Sequence, residues 1–129
     1  MTKVFISHSQ SDAELVQRFA TALRKFGLTT LDFRELQPGE DWRHSLRSAI
    51  KGADVVVTLV SAPNSLQSRW AAYEVGFAEA LGKRVLLLLS NKHSVAELPE
   101  DYRSMQIMKF DPQSLESAAQ DIASQLAVP

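Results

Sequence analysis

Three features of the 129-residue sequence predict an α/β fold built on a doubly wound parallel sheet. Apolar runs of strand length alternate with segments whose apolar residues recur at three- and four-residue steps, the pattern of βαβ units. Two of the runs, Val55-Val56-Val57-Thr58-Leu59-Val60 and Val85-Leu86-Leu87-Leu88-Leu89, are apolar almost without interruption, as in strands covered on both faces. Gly27, Gly52 and Gly82 each fall where a helical segment runs out, a position suited to a residue that tolerates left-handed dihedrals. The length suits one domain, residues 1–129, with one continuous core.

The first strand is read at Lys3 to Ser7, followed by a polar stretch and by Asp12 as the N-cap of a helix. Leu15, Phe19, Leu23 and Phe26 form the buried stripe of that helix. Leu28 to Phe33 is the second strand. It feeds a long loop, Arg34 to Asp41, in which Pro38-Gly39 supplies the fixed φ and then the positive φ of a type II turn. Asp41 is placed to cap the next helix, whose stripe is Trp42, Leu46, Ala49 and Ile50. The third strand spans Asp54 to Ser61. A helix from about Ser65 to Leu81 follows, then a fourth strand from Arg84 to Leu89. A polar loop over Ser90 to Glu100 leads through a short helical turn to a weaker fifth strand, Gln106 to Phe110, and a last helix from Pro112 to Leu126.

Composition removes several function classes. With 14 basic and 15 acidic side chains the chain is nearly neutral, and its longest basic cluster is Lys83-Arg84, a strand-edge solubiliser, so no nucleic-acid partner is expected. No cysteine is present, which excludes disulfides, thiol catalysis and Cys-zinc sites and fits a reducing, cytoplasmic compartment. No apolar window reaches the roughly 18 residues of a membrane span, and Met1 leads straight into Val4-Phe5-Ile6 without a signal-like segment, so neither membrane insertion nor export is expected. His8, His44 and His93 lack metal-ligand spacing, and no metal is expected. Ser7-His8-Ser9 is not read as a hydrolase site, because no G-x-S-x-G elbow exists and adjacent strand residues point to opposite faces. No G-x-G-x-x-G follows the first strand, so dehydrogenase-type dinucleotide binding is not supported.

The helix after the third strand is the informative one. At about 100° per residue, Leu66, Trp70, Tyr73, Phe77 and Leu81 share one stripe, Glu74 lies at its margin one turn after Trp70, and Glu79 falls on the far side. A carboxylate on the rim of an apolar stripe is either an ion-paired edge residue or a functional group held partly out of water. Spacing alone leaves both open.

Several segments resemble the TIR (Toll/interleukin-1 receptor) domain of the bacterial, NAD-cleaving kind. Val4-Phe5-Ile6-Ser7-His8 resembles its opening motif, Leu36-Gln37-Pro38-Gly39-Glu40-Asp41-Trp42 its BB loop, and Val57-Thr58-Leu59-Val60-Ser61 its third strand and closing serine. Ser65, Ser68-Arg69-Trp70 and Glu74 match the family's serine, tryptophan and glutamate order, with four residues from tryptophan to glutamate. The resemblance implies a flavodoxin-like sheet of five parallel strands in the order 2-1-3-4-5, with Glu74 as catalytic residue. It further implies cleavage of NAD⁺, as substrate and not as cofactor, to nicotinamide and linear or cyclic ADP-ribose in bacterial immunity or virulence. Activation would come from self-association through the BB loop, with a separate receptor or effector protein as a further partner.

In such sheets ligands bind beyond the carboxyl ends of the strands. That rule gathers Ser7, His8 and Ser9 after the first strand, Arg34 and Gly39 after the second and Ser61 after the third, with Trp42 and Trp70 as aromatic walls. Each has a plain alternative: the serines as satisfiers of strand-end backbone groups, Arg34 as a solvated charge, the tryptophans as core or interface. Two other readings stand beside the enzyme, a non-catalytic homotypic interaction module and a nucleoside deoxyribosyltransferase-like enzyme. A receiver domain is disfavoured, because Ser7-His8-Ser9 occupies the place of its acidic cluster.

Overall fold

A computed structural model of the chain describes residues 2–7, 12–32, 42–63 and 69–127. In chain order these form β1 (Lys3–Ser7), α1 (Ala13–Lys25), β2 (Thr29–Asp32), α2 (Trp42–Gly52), β3 (Val55–Val60), α3 (Arg69–Ala80), β4 (Arg84–Ser90), a 3-10 turn (Val95–Glu97), α4 (Glu100–Arg103), β5 (Gln106–Phe110) and α5 (Leu115–Ala127). The strands make one parallel sheet ordered β2-β1-β3-β4-β5, the flavodoxin-like order expected.

Side chains alternate across the sheet, and the two sets meet different helices. Val4 and Ile6 of β1, Val55, Val57 and Leu59 of β3, and Leu86 and Leu88 of β4 pack with Phe19 and Leu23 of α1 and Leu115, Ala119 and Ile122 of α5. On the opposite face, Phe5 and Val56 meet Leu46 and Ile50 of α2 and Ala78 of α3. Val60, Leu87 and Leu89 meet Val75 of α3, together with Leu98 and Tyr102. Fully burying each of the larger aliphatic and aromatic chains contributes about 1.5–3 kcal/mol. Among the described residues no helix is long and apolar enough to cross a membrane.

Gly27 (φ 86°) and Gly82 (φ 71°) occupy the left-handed region where the sequence places helix ends. After α1 the Leu28 amide donates to the Leu23 carbonyl and the Gly27 amide to that of Arg24; after α3 the Lys83 and Gly82 amides repeat the arrangement on Ala78 and Glu79. Both are Schellman turns, and each aims the chain back into the next strand.

Four expectations are corrected. Asp12 sits at the N-cap of α1, but its carboxylate makes no cap and reaches Ser61 instead. Phe26 is 44% exposed, because it is the C-cap residue, past the last turn of α1. Lys83 and Arg84 do more than solubilise: Lys83 Nζ donates to the Lys51 carbonyl at 2.9 Å and Arg84 Nε to Gln106 Oε1 at 3.3 Å, tying α2 and β5 to this corner. The largest correction concerns α3. Its buried face centres on Glu74, Val75 and Ala78, while Tyr73 and Phe77 are half-buried and Leu81 is 40% exposed. The segment is apolar nearly all round, so its aromatic spacing does not reveal its orientation. The small Ala78 lets the helix approach the sheet, and the aromatics lie to the side, where Arg47 of α2 donates to Tyr73 Oη at 3.0 Å and covers the Phe77 ring at 6.0 Å.

Candidate active site

The carboxyl ends of β1 and β3 bring the chemistry-bearing groups together. Ser7 is the last residue of β1 and the parallel-register partner of Thr58 in β3. Being next in alternation to Phe5, it faces α2 and α3. Because α3 turns Glu74 toward the sheet, the Ser7 hydroxyl donates to Glu74 Oε1 at 3.0 Å. Ser7 is 0% exposed and Glu74 1%. Burying an ionised carboxylate costs several kcal/mol unless hydrogen bonds or charges compensate, and a hydroxyl donated to it recovers about 1.5–3 kcal/mol. The arrangement therefore holds a single carboxylate in one direction, out of bulk water, at the end of the sheet where this topology binds ligands.

A second carboxylate stands on the other side of β3. Asp12, buried at the start of α1, accepts the Ser61 hydroxyl on Oδ1 and the Ser61 amide on Oδ2 at 3.5 Å. This pair fastens the N-terminus of α1 to the chain leaving β3. The Ser61 hydroxyl is thus given to a carboxylate and not to a strand-end backbone group.

Of the site residues read from the sequence, the structure joins Ser7 to Glu74 directly and places Ser61 at the next strand end, bound to Asp12. Trp42 is the first residue of α2 and Trp70 the second of α3, with side chains outside the described part. His8, Ser9, Arg34 and Gly39 lie outside the described residues. So do the Pro38-Gly39 turn, the Asp41 cap and Ser65 to Ser68. Among the described residues no group of three or more His, Asp or Glu side chains could hold a metal. Asp12 is the participant that sequence reasoning misassigned, since an acid before a helix reads first as a cap.

Residues 4–126 match the model of the TIR domain family. The chain belongs to the TIR domain family. No curated protein sequence matches it significantly. Among solved structures, this TIR domain is similar to the TIR domain of the Toll-related receptor TRR-2 from Hydra magnipapillata (15% identity, TM-score 0.74, 95% of this chain and 94% of that one covered). It is similar as well to a metazoan TIR-STING receptor from C. gigas (22% identity, TM-score 0.80), of which it spans 39% while 98% of this chain is covered. A third likeness is to the CMP N-glycosidase BcmB of Clostridium botulinum (18% identity, TM-score 0.64, 94% and 98% covered). At these identities the likenesses establish the fold.

Proposed function

We propose that this TIR domain cleaves NAD⁺ at the bond between nicotinamide and ribose, with Glu74 as the catalytic residue. The observation that carries the reading is the seating of Glu74: one buried carboxylate, oriented by the Ser7 hydroxyl, at the carboxyl end of a parallel sheet. One carboxylate suffices for this reaction. Nicotinamide bound to ribose is a cation and departs as a neutral molecule, so no general acid has to protonate it, unlike the alkoxide expelled in ordinary glycoside hydrolysis. What needs stabilising is the positive charge gathering on the ribose, and a carboxylate fixed in a dry site does this strongly because it has no solvent shell to reorganise. Attack of water on the ribosyl centre gives ADP-ribose; attack by a group of the same nucleotide gives a cyclic product.

Three circumstances support this reading. The tryptophan-to-glutamate spacing of the NAD-cleaving kind is present at Trp70 and Glu74. The fold is shared with an enzyme named for cleaving an N-glycosidic bond of CMP, a reaction at the same sugar carbon. The chain belongs to a family whose members associate homotypically, and we take a self-associated TIR assembly in bacterial defence or virulence, in the cytoplasm, as the active form. The chemistry uses NAD⁺ as substrate and calls on no further cofactor.

One observation favours a second reading. Glu74 is 1% exposed in the single chain, as a carboxylate with a purely structural task would be, which is the position in a non-catalytic interaction module. A single experiment separates the readings: concentrated protein is incubated with NAD⁺, NADP⁺, a nucleoside and CMP, and products are identified by mass spectrometry. Free nicotinamide from NAD⁺ is the expected result. Base release from the nucleoside or CMP alone moves the activity to a nucleoside deoxyribosyltransferase-like or nucleotide N-glycosidase class, and no product from any substrate leaves the interaction module.

A further inference from the structure

We propose that Asp12 is a positioning residue that makes Ser61 a fixed hydrogen-bond acceptor for a ribose hydroxyl, so that this end of the sheet selects ribosyl over deoxyribosyl substrates. The inference rests on the reading of these strand ends as the NAD⁺ site and deepens it, by assigning the group that recognises the sugar.

Topology places the pair. Ser7 ends β1 beside Thr58 of β3, and α1 follows β1 on one face of the sheet while α3 follows β3 on the other, so the two connections part between these strand ends. Val55, Val57 and Leu59 of β3 pack on the face of α1 and α5, and Ser61, two residues beyond Leu59, continues that alternation. There it meets Asp12 at the head of α1, while Ser7 turns to the opposite face and meets Glu74. Two carboxylates thus reach the adjacent ends of β1 and β3 from opposite faces, at the place where a doubly wound sheet receives its ligand.

Chemistry gives the pair its polarity. A serine hydroxyl has one proton and two lone pairs, and an ionised carboxylate only accepts. The Ser61 hydroxyl donates to Asp12 Oδ1 and the Ser61 amide approaches Oδ2 at 3.5 Å, so both donors of Ser61 are directed into the protein. What Ser61 Oγ can then do toward a ligand is accept. Asp12 is 2% exposed and Ser61 half-buried, so the carboxylate is enclosed and the serine is the member that retains access to solvent. Fastening α1 to β3 needs no charge, because an asparagine carbonyl would take the Ser61 hydroxyl at a lower cost of burial. The carboxylate adds two acceptors and no donor, so Ser61 cannot reverse its bond. A fixed acceptor backed by a negative charge fits a hydroxyl donor and repels a phosphate oxygen, and the sugar whose bond Glu74 acts on carries such hydroxyls.

The test compares wild type, S61A, S61T and D12N on NAD⁺ and on its analogue lacking both hydroxyls of the nicotinamide ribose. The ratio of kcat/KM for NAD⁺ to that for the analogue, compared between variants, cancels the different intrinsic lability of the two substrates. A site that hydrogen-bonds a hydroxyl discriminates against its absence, so S61A should lower this ratio by about five- to tenfold. S61T, which keeps the hydroxyl, should hold it, and D12N, which turns one acceptor into a donor, should lower it by at least about threefold. Loss of a mere fastening slows both substrates alike, so an S61A ratio equal to that of wild type overturns the proposal. The same concentrated proteins are titrated calorimetrically with carbocyclic NAD⁺, in which a methylene replaces the ring oxygen of that ribose, and with its counterpart lacking the two hydroxyls; both bind without turnover. If wild type cleaves nothing yet binds the hydroxylated ligand more tightly, by a margin that S61A loses, the reading of Glu74 as catalytic falls and the Ser61 acceptor stands. Ligands bound equally by wild type, or not bound at all, overturn it.

Discussion

Glu74 carries the argument at the scale of single residues. Replacement by glutamine keeps the volume and a carbonyl oxygen able to accept from Ser7, so the seat survives while the negative charge is lost. E74Q is expected to lose at least about 10²–10³-fold in NAD⁺ cleavage, the size of effect seen when one electrostatic stabiliser is removed, with an unchanged circular dichroism spectrum. Nicotinamide release by chromatography checks it, and a variant with wild-type turnover removes the carboxylate from the reaction. This residue was legible in the sequence because its spacing from Trp70 survives any rotation of the helix. Its depth was not, since an acid beside aromatics at 70, 73 and 77 reads as marginal when the aromatics are taken for the buried face. Asp12 shows the same limit: the sequence puts an acid where α1 starts, but only the return of the chain after β3 brings Ser61 within its reach.

At the scale of elements, strands and helix ends were the readable parts. β3 and β4 announce themselves by unbroken apolar runs, and Gly27 and Gly82 mark real left-handed turns. The facing of α3 was not readable, because the residue that touches the sheet is the small Ala78 and not the bulky Phe77. Ala78 is wholly buried against Phe5, Val56 and Ile50, so A78L overfills a packed seam and is expected to cost about 1–3 kcal/mol in urea unfolding. L81Q, at the exposed end of the same helix, should stay within about 0.5 kcal/mol. The reverse order of effects would restore the aromatic stripe as the buried face. A second element is tuned by charge. Glu97 closes a capping box over the turn before α4, and its carboxyl is held below the ordinary 4.5 first by the Ser94 amide and then by the His93 side chain, at 3.3 Å. A lowered folded value means that this local stabilisation is complete above about pH 4.5 and fades as pH falls through the folded value. Hydrogen exchange at the Ser94 and Glu97 amides should therefore gain protection as pH is raised through that window, after correction for intrinsic rates, and E97Q should flatten the dependence.

The whole molecule poses a problem of access. On the proposed reading, a substrate the size of NAD⁺ brings its ribose beside a carboxylate that the single chain leaves 1% exposed, which requires this arrangement to open or be reshaped before turnover. In sequence, segments 8–11, 33–41 and 64–68 follow β1, β2 and β3, and the second contains the BB-loop resemblance, in which the sequence reading expects a type II turn at Pro38-Gly39. If contact between copies of this near-neutral domain supplies the opening, turnover per molecule is a property of the assembly and obeys mass action. Specific activity should then rise with protein concentration, steeply around the dissociation constant of the assembly and to a plateau above it, while sedimentation shows the mean mass rising over the same range. If Gly39 takes the positive φ the sequence reading expects, Gly39→Val should move both curves together to higher concentration, leaving the thermal midpoint of the isolated domain nearly unchanged. Specific activity that stays constant on dilution, in a protein that sediments as a monomer throughout, would mean that each chain opens by itself, and the self-association model would have to be abandoned.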